Sequence, residues 1–287
     1  MIPPELAALA ASFSFGVAPL LYKKSLESIH SSEANLFRSL GAAVPSFLAL
    51  FMASDLDRYI TSVQVWGLVG SGCILALGIN GLVYFKSVDL VGASRATTLS
   101  SVFPLFIIPF SLFLLGEPAT LPIVCGTIAI VIGIWFMGRG LDFESNRRFM
   151  RVGIMLGLVS ALLWAVGTFL FKLALFYIDA FTFVFLRMWI LLPFVGALTL
   201  IPHSRRPTRR NTFACAFLGG MLDLGIGAIF MYYALKIGFA NVVVPLSSTY
   251  PVVTTVLAYV FLKESISVKS LAGVLLVVTG TVALVLR

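Results

Sequence analysis

The sequence predicts an all-α integral membrane protein: ten transmembrane helices arranged as two inverted five-helix repeats around a central cavity. Three observations predict it. The chain of 287 residues is 60% hydrophobic and 11% charged, with a mean hydropathy of +1.05. Soluble domains are about half apolar and about a quarter charged, so the solvent for this fold is lipid. Ten apolar runs are long enough to be spans. The second half of the chain repeats the first.

A helix needs about 20 mostly apolar residues to cross the hydrocarbon layer. Runs at 5–22, 34–53, 65–85, 95–115, 121–138, 151–171, 180–201, 212–235, 241–262 and 268–286 meet that need. Lipid offers no partner to an open backbone, which leaves helices or a closed barrel. A barrel strand alternates in polarity, and IAIVIGIWF at 128–136 does not. The first run starts at residue 5 with no basic leader and reads as a retained span rather than a cleaved signal. Cys73, Cys125 and Cys215 lie in separate apolar runs, a spacing that suits neither disulfides nor a metal and reads as packing. Lys and Arg collect beside the odd-numbered loops. The net charge of +8 therefore reads as membrane orientation, with both termini outside, rather than as nucleic-acid binding.

The repeat is explicit. LSSVFPLFIIPFSLFLLGE (99–117) and LSSTYPVVTTVLAYVFLKE (246–264) align without a gap at a shift of 147. The same shift aligns LALGI (75–79) with LDLGI (222–226), Glu117 with Glu264, Gly126 with Gly273 and Gly133 with Gly280. A shift of 148 aligns Ser12 with Ser160 and Lys24 with Lys172, and one further residue aligns Arg38 with Arg187. The expected division is a first repeat at 1–140, a linker at 141–150 and a second repeat at 151–287. Five spans are an odd number, so the second unit enters the membrane with opposite polarity. That is the plan of transporters that open alternately to either face.

Within the repeated stretch, Thr97, Thr98, Ser100 and Ser101 precede Pro104 and Pro109, and Pro245, Ser247, Ser248 and Thr249 surround Pro251. Proline removes a donor and kinks a helix. Pro104 and Pro251 are therefore expected kinks, and the hydroxyls either line a cavity or bond back to their own backbone. Glu117 and Glu264, each just before a capping Thr120 or Ser267, are expected as interfacial carboxylates near helix N-termini. The paired glycines of the fifth and tenth spans are expected packing faces.

Two five-span units, an Arg early in each second span (Arg38, Arg187), a proline in each fourth span (Pro104, Pro251) and a terminal Glu (Glu117, Glu264) resemble the drug/metabolite transporter superfamily, and within it the EamA-like ten-span family. The resemblance implies a basket-like bundle with spans 1, 3, 4, 6, 8 and 9 around the cavity. It also implies proton-coupled or exchange transport of small metabolites, often amino-acid export, and termini on the cytoplasmic side, opposite to the charge count.

An ionisable group inside a membrane costs about 2.5–3.5 kcal/mol at a helix centre, so each one needs a reason. Asp223, midway along the eighth span, has Ala76 as its repeat counterpart. It either takes a proton, a cation or a substrate amine, or pairs with an Arg or Lys of a neighbouring span. Asn80 offers a neutral donor and acceptor one turn beyond Ala76. Arg38 and Arg187 either snorkel or bond helix carbonyls, or hold a carboxylate or phosphate. Trp164 aligns with Gly16, and Tyr84, Tyr232, Tyr233, Tyr250 and Phe15 fall on spans that the resemblance places around the cavity. These are candidates for stacking on substrate.

The sequence argues against an enzyme. His30 and His203, the two histidines, lie in separate loops, and no nucleophile–base pair, metal spacing or phosphate-binding glycine loop is visible. No cofactor is expected. The expected function is secondary active transport of small polar metabolites such as amino acids, with protons as a coupling partner, the lipid bilayer as solvent and no nucleic acid. One chain of ten spans can enclose a cavity, so a functional monomer in a prokaryotic inner membrane is expected. The alternatives are a flippase for a lipid-linked or amphipathic substrate, a nucleotide-sugar or sugar-phosphate exchanger, and a membrane scaffold or receptor.

Overall fold

The computed structural model describes residues 2–26, 29, 31–53, 62–91, 99–137, 147–199, 210–262 and 267–286. These are helical almost throughout, with no strand among the described residues. In chain order the rods are α1 (Pro4–Leu26), α2 (Ser31–Ala49), α3 (Val63–Cys73, a π-helical Ile74–Ile79, then Asn80–Val91), α4 (Phe103–Leu114), α5 (Leu121–Met137), α6 (Arg147–Tyr177), α7 (Ala180–Thr199), α8 (Arg210–Gly220, a π-helical Met221–Gly227, then Ala228–Ile237), α9 (Ala240–Ser247 and Tyr250–Leu262) and α10 (Val268–Val285). Residues 141–146 of the expected linker lie outside the described residues, and α6 is already under way at Arg147.

Seven stretches are long and apolar enough to cross a membrane by length and composition: Pro4–Tyr22, Glu33–Met52, Met150–Tyr177, Ala180–Ala197, Thr212–Ile237, Ala240–Phe261 and Val268–Val285. Val63–Ile79, Phe103–Leu114 and Leu121–Met137 are apolar but shorter. The first of these contains the π-helical turn Ile74–Ile79. α4 begins at a turn over Ser101 and Val102 and stops before Gly116, whose φ of 66° belongs to the left-handed region where glycine ends helices.

The halves interlock. α1 packs on α8 and α9, and α6 packs on α3 and α4, so the first helix of each half lies against the third and fourth of the other. α2 packs on α7 and α8, and α5 pairs with α10. The α5–α10 seam is built on glycine, as the repeated spacing predicts. A Cβ on Gly133 would stand 2.6 Å from the Gly273 carbonyl oxygen, and one on Gly126 would stand 2.9 Å from that of Gly280. Without hydrophobic drive between helices in lipid, such close backbone approach is the main source of cohesion. The outward faces carry large exposed apolar side chains, Phe113, Phe261 and Leu275 among them, which suits contact with acyl chains.

Gly273→Leu is expected to force α5 and α10 apart at an overpacking cost of about 1–3 kcal/mol. Thermal unfolding in detergent should show a clear drop for that variant. Cys125→Leu, on the exposed face of α5, should melt like the parent; equal melting of all three would refute the glycine seam.

Candidate functional site

The repeated LALGI and LDLGI segments both adopt π-helical turns, Ile74–Ile79 in α3 and Met221–Gly227 in α8. A π turn lengthens the backbone hydrogen bond to the fifth residue and frees carbonyl capacity, a feature found often at functional sites. Around the α8 turn, glycines admit α2 at backbone distance. A Cβ on Gly220 would stand 1.8 Å from the Arg38 carbonyl oxygen, and one on Gly225 would stand 2.2 Å from Pro45 Cγ. This close approach sets Arg38 beside Asp223.

Arg38 Nη2 donates to Asp223 Oδ2 in an ion pair, and the Tyr22 hydroxyl donates to the same oxygen at 3.1 Å. The Arg38 guanidinium also lies 5.2 Å from the centre of the Tyr22 ring. The arginine of the other half meets the same turn. Arg187 Nη2 donates to the Leu224 carbonyl oxygen at 2.6 Å and Nη1 to the Tyr232 hydroxyl at 3.0 Å. Arg187 is only 1% exposed, so it does not snorkel; it bonds a helix carbonyl. Asp223 takes the paired form among its expected roles, with a partner from the first half of the chain. In α3, where Ala76 replaces Asp223, the Asn80 backbone N–H reaches back to the Leu75 carbonyl, Asn80 Nδ2 donates to the Ala76 carbonyl at 3.2 Å, and Ser160 Oγ donates to Asn80 Oδ1 at 2.6 Å. Asn80 is thus engaged in joining α3 to α6.

The two repeated stretches meet where α4 packs on α9. Tyr250 of α9 lies near Ser101, just before α4, and near Tyr84 of α3. Tyr250 stands edge-on to Phe15 with ring centres 6.5 Å apart, and its repeat counterpart Phe103 stands edge-on to Trp164 at 6.1 Å. Each aligned aromatic therefore meets a ring from the other half. Ser100 is half-buried at the start of this region. Ser247 and Ser248 are buried and donate to the Val244 carbonyl at 2.9 and 2.7 Å; they take the back-bonded role. Pro104 and Pro251 each stand in the first turn after a break, at Ser101–Val102 and Ser248–Thr249, where a missing N–H is tolerated. Tyr232 is buried between Phe171 and Phe183, while Tyr233 is half-buried against the core. His30, Arg95, Thr97, Thr98, His203 and Glu264 lie outside the described residues.

Sequence reasoning missed a buried junction and the role of Tyr22. Glu117, expected at the interface, is 6% exposed. Its Oε2 accepts from Ser111 and from the backbone amides of Ala240 at 2.7 Å and Asn241 at 3.4 Å, so it caps α9 rather than the following helix α5. Lys172 Nζ stands 3.5 Å from Glu117 Oε1 and donates to the carbonyls of Leu235 and Gly238 at the end of α8, at 2.6 Å each. Carboxylate at a helix N-terminus and ammonium at a C-terminus are the favourable pairings with the helix dipole. Asn241 Nδ2 adds a bond to the Pro118 carbonyl at 2.9 Å. The aligned Lys24/Lys172 and Glu117/Glu264 pairs were the available signal.

Comparison with known proteins places the fold in context. The profile of the EamA-like transporter family matches residues 2–139 and again residues 151–286. An uncharacterized transporter of Archaeoglobus fulgidus is 23% identical over 284 residues, 98% of this chain and 97% of that one. The pseudopaline exporter CntI of Pseudomonas aeruginosa is 24% identical over 156 residues, 54% of this chain and 53% of that one. A crystal structure 18% identical in sequence shares the fold with a TM-score of 0.83 over 99% of this chain and 96% of the other.

Removing one partner of a buried pair leaves the other uncompensated, which costs about 3–5 kcal/mol. Glu117→Gln and Lys172→Met are each expected to lose stability of that order in denaturant unfolding, and the double variant less than the sum. Strict additivity would mean that the two side chains do not act as a unit.

Proposed function

The chain belongs to the EamA-like transporter family and is an integral membrane transporter of a prokaryotic cell membrane; from that membership and the geometry around Asp223, we propose a secondary active transporter that moves small polar metabolites by alternating access. In this reading residues 1–140 and 151–287 are two inverted five-helix repeats around a central site. Three findings support it: the family profile fits once in each half, a π-helical turn recurs at the same aligned position, and the first helix of each half packs against the other. One chain supplies the whole site, so the monomer is the working unit.

The observation that carries the proposal is the ion pair between Arg38 and Asp223. It joins the second helix of one half to a π-helical turn in the other. Charges inside the membrane are costly and mark pathways for substrates and ions. A substrate amine or a proton that engages Asp223 competes with Arg38 and loosens α2 from α8, while binding at Arg38 competes with Asp223 in the same way. Ligand and conformation are thereby coupled through one contact, the differential interaction that any ligand-driven shift requires. The likeness to a named exporter supports outward transport.

The test is counterflow of labelled amino acids in vesicles that hold the purified protein. Asp223→Asn is expected to elute as a single species in detergent and to lose at least about tenfold in flux together with its response to an imposed pH gradient, equivalent to about 1.4 kcal/mol or more. Parental flux in that variant would remove Asp223 from the mechanism.

A further inference from the structure

Two guanidinium groups and one carboxylate meet at the π-helical turn of α8, and we infer that this centre binds the carboxylate group of a small organic anion. The inference rests on the transporter reading above and names its substrate class. The charges at the turn do not cancel. Asp223 Oδ2 is engaged by Arg38 and Tyr22. Arg187, 1% exposed, has a backbone carbonyl and a phenol as partners and no carboxylate among the described residues. Those partners are dipoles, so a whole positive charge stays inside the membrane-spanning region. An arginine does not shed its proton in a protein, which leaves a bound anion as the means of cancelling it.

The donors for that anion are present. Nε of Arg38 and Nε of Arg187 are both buried and have no hydrogen-bond partner, so neither guanidinium is saturated by its protein neighbours, and the exposed part of the Arg38 fork is the end that grips a carboxylate. Access is also graded. The side chains of Arg38 and Asp223 are 34% and 17% exposed, so a ligand reaches the turn at Arg38 and Arg187 acts behind it as the unbalanced charge. A ligand of net charge −1 brings the centre to neutrality, whereas a cation adds to the excess. An acidic amino acid fits twice over, since its ammonium group can meet Asp223 while a carboxylate meets Arg38.

Thermal unfolding of the purified chain in detergent, at constant ionic strength, tests this with L-glutamate, L-lactate, inorganic phosphate and putrescine at millimolar concentration. Glutamate or lactate is expected to raise the melting temperature by several degrees, and putrescine to leave it unchanged. Arg187→Gln should need at least about tenfold more ligand for the same shift, because the centre then lacks the surplus positive charge that the anion balances. Where that variant fails to fold, Arg38→Lys keeps the charge but loses the fork, and is expected to weaken glutamate binding about tenfold without abolishing it. A shift with putrescine alone, or with phosphate alone, overturns the carboxylate assignment. Silence of all four ligands beside Asp223-dependent counterflow also overturns it, and leaves the transporter reading standing. Silence together with absent counterflow sinks both.

Discussion

The hydrocarbon interior offers no hydrogen-bond partner, and the rest of this structure follows from how that constraint is met. An unpaired backbone group in lipid costs several kcal/mol, yet the chain interrupts its helices repeatedly. Three of these breaks and helix ends are answered from another segment. The Leu224 carbonyl at the α8 π turn receives Arg187 of α7. The Leu235 and Gly238 carbonyls at the end of α8 receive Lys172 of α6. The amides of Ala240 and Asn241 that open α9 receive Glu117, which follows α4. The groups that make the breaks tolerable are thus the groups that tie helices together, and in the last case they tie one half of the chain to the other.

Two kinds of contact between the halves result, and they differ in character. The α5–α10 seam is close-packed backbone against backbone, with glycines on both sides, and permits little displacement before atoms collide. Contacts around Asp223 and Glu117 are polar and directional, formed by long side chains that can exchange partners. Packed interfaces hold discrete arrangements rather than deforming continuously. The alternating access proposed above would be well served by a fixed apolar seam together with exchangeable ion pairs.

Most of the fold was legible in the sequence because composition and periodicity report on solvent. The apolar runs gave the rods, and the glycines spaced seven apart marked the α5–α10 seam. The candidate site was legible in its members but not in its pairings. Asp223, Arg38 and Arg187 stood out as charges in apolar runs, yet Arg38 and Asp223 are 185 residues apart, and no local pattern says which helices will cross. LALGI and LDLGI read as alignment anchors, since a π turn has no composition of its own. Glu117 read as interfacial because its position at a helix end was visible, whereas the helix end that comes to meet it belongs to the other half. Ser247 and Ser248 carried two readings, and burial decided for the back-bonded one, because a hydroxyl packed against neighbouring helices has its own backbone as the nearest acceptor.

The repeat explains the frame, and its imperfections fall beside the buried charges. Aligned positions that serve packing are the same in both halves: Gly126 and Gly273, Gly133 and Gly280. Some positions in and around the π turns are not, although Leu75, Leu77, Gly78 and Ile79 match Leu222, Leu224, Gly225 and Ile226. Ala76 stands opposite Asp223, Asn80 opposite Gly227, and Gly16 opposite Trp164. Both arginines of the repeat converge on the α8 turn, one through the Asp223 carboxylate and the other through the Leu224 carbonyl, while the α3 turn is closed by the neutral Asn80 and Ser160. A two-fold frame supplies two equivalent ways to open, but a substrate with distinct ends cannot lie on the axis of a site whose two sides are alike. In the transporter proposed above, charge in one turn and amide in the other would remove that degeneracy and give the ligand a single orientation. On that proposal, the asymmetry at Asp223 is what a two-fold scaffold needs in order to bind an asymmetric molecule.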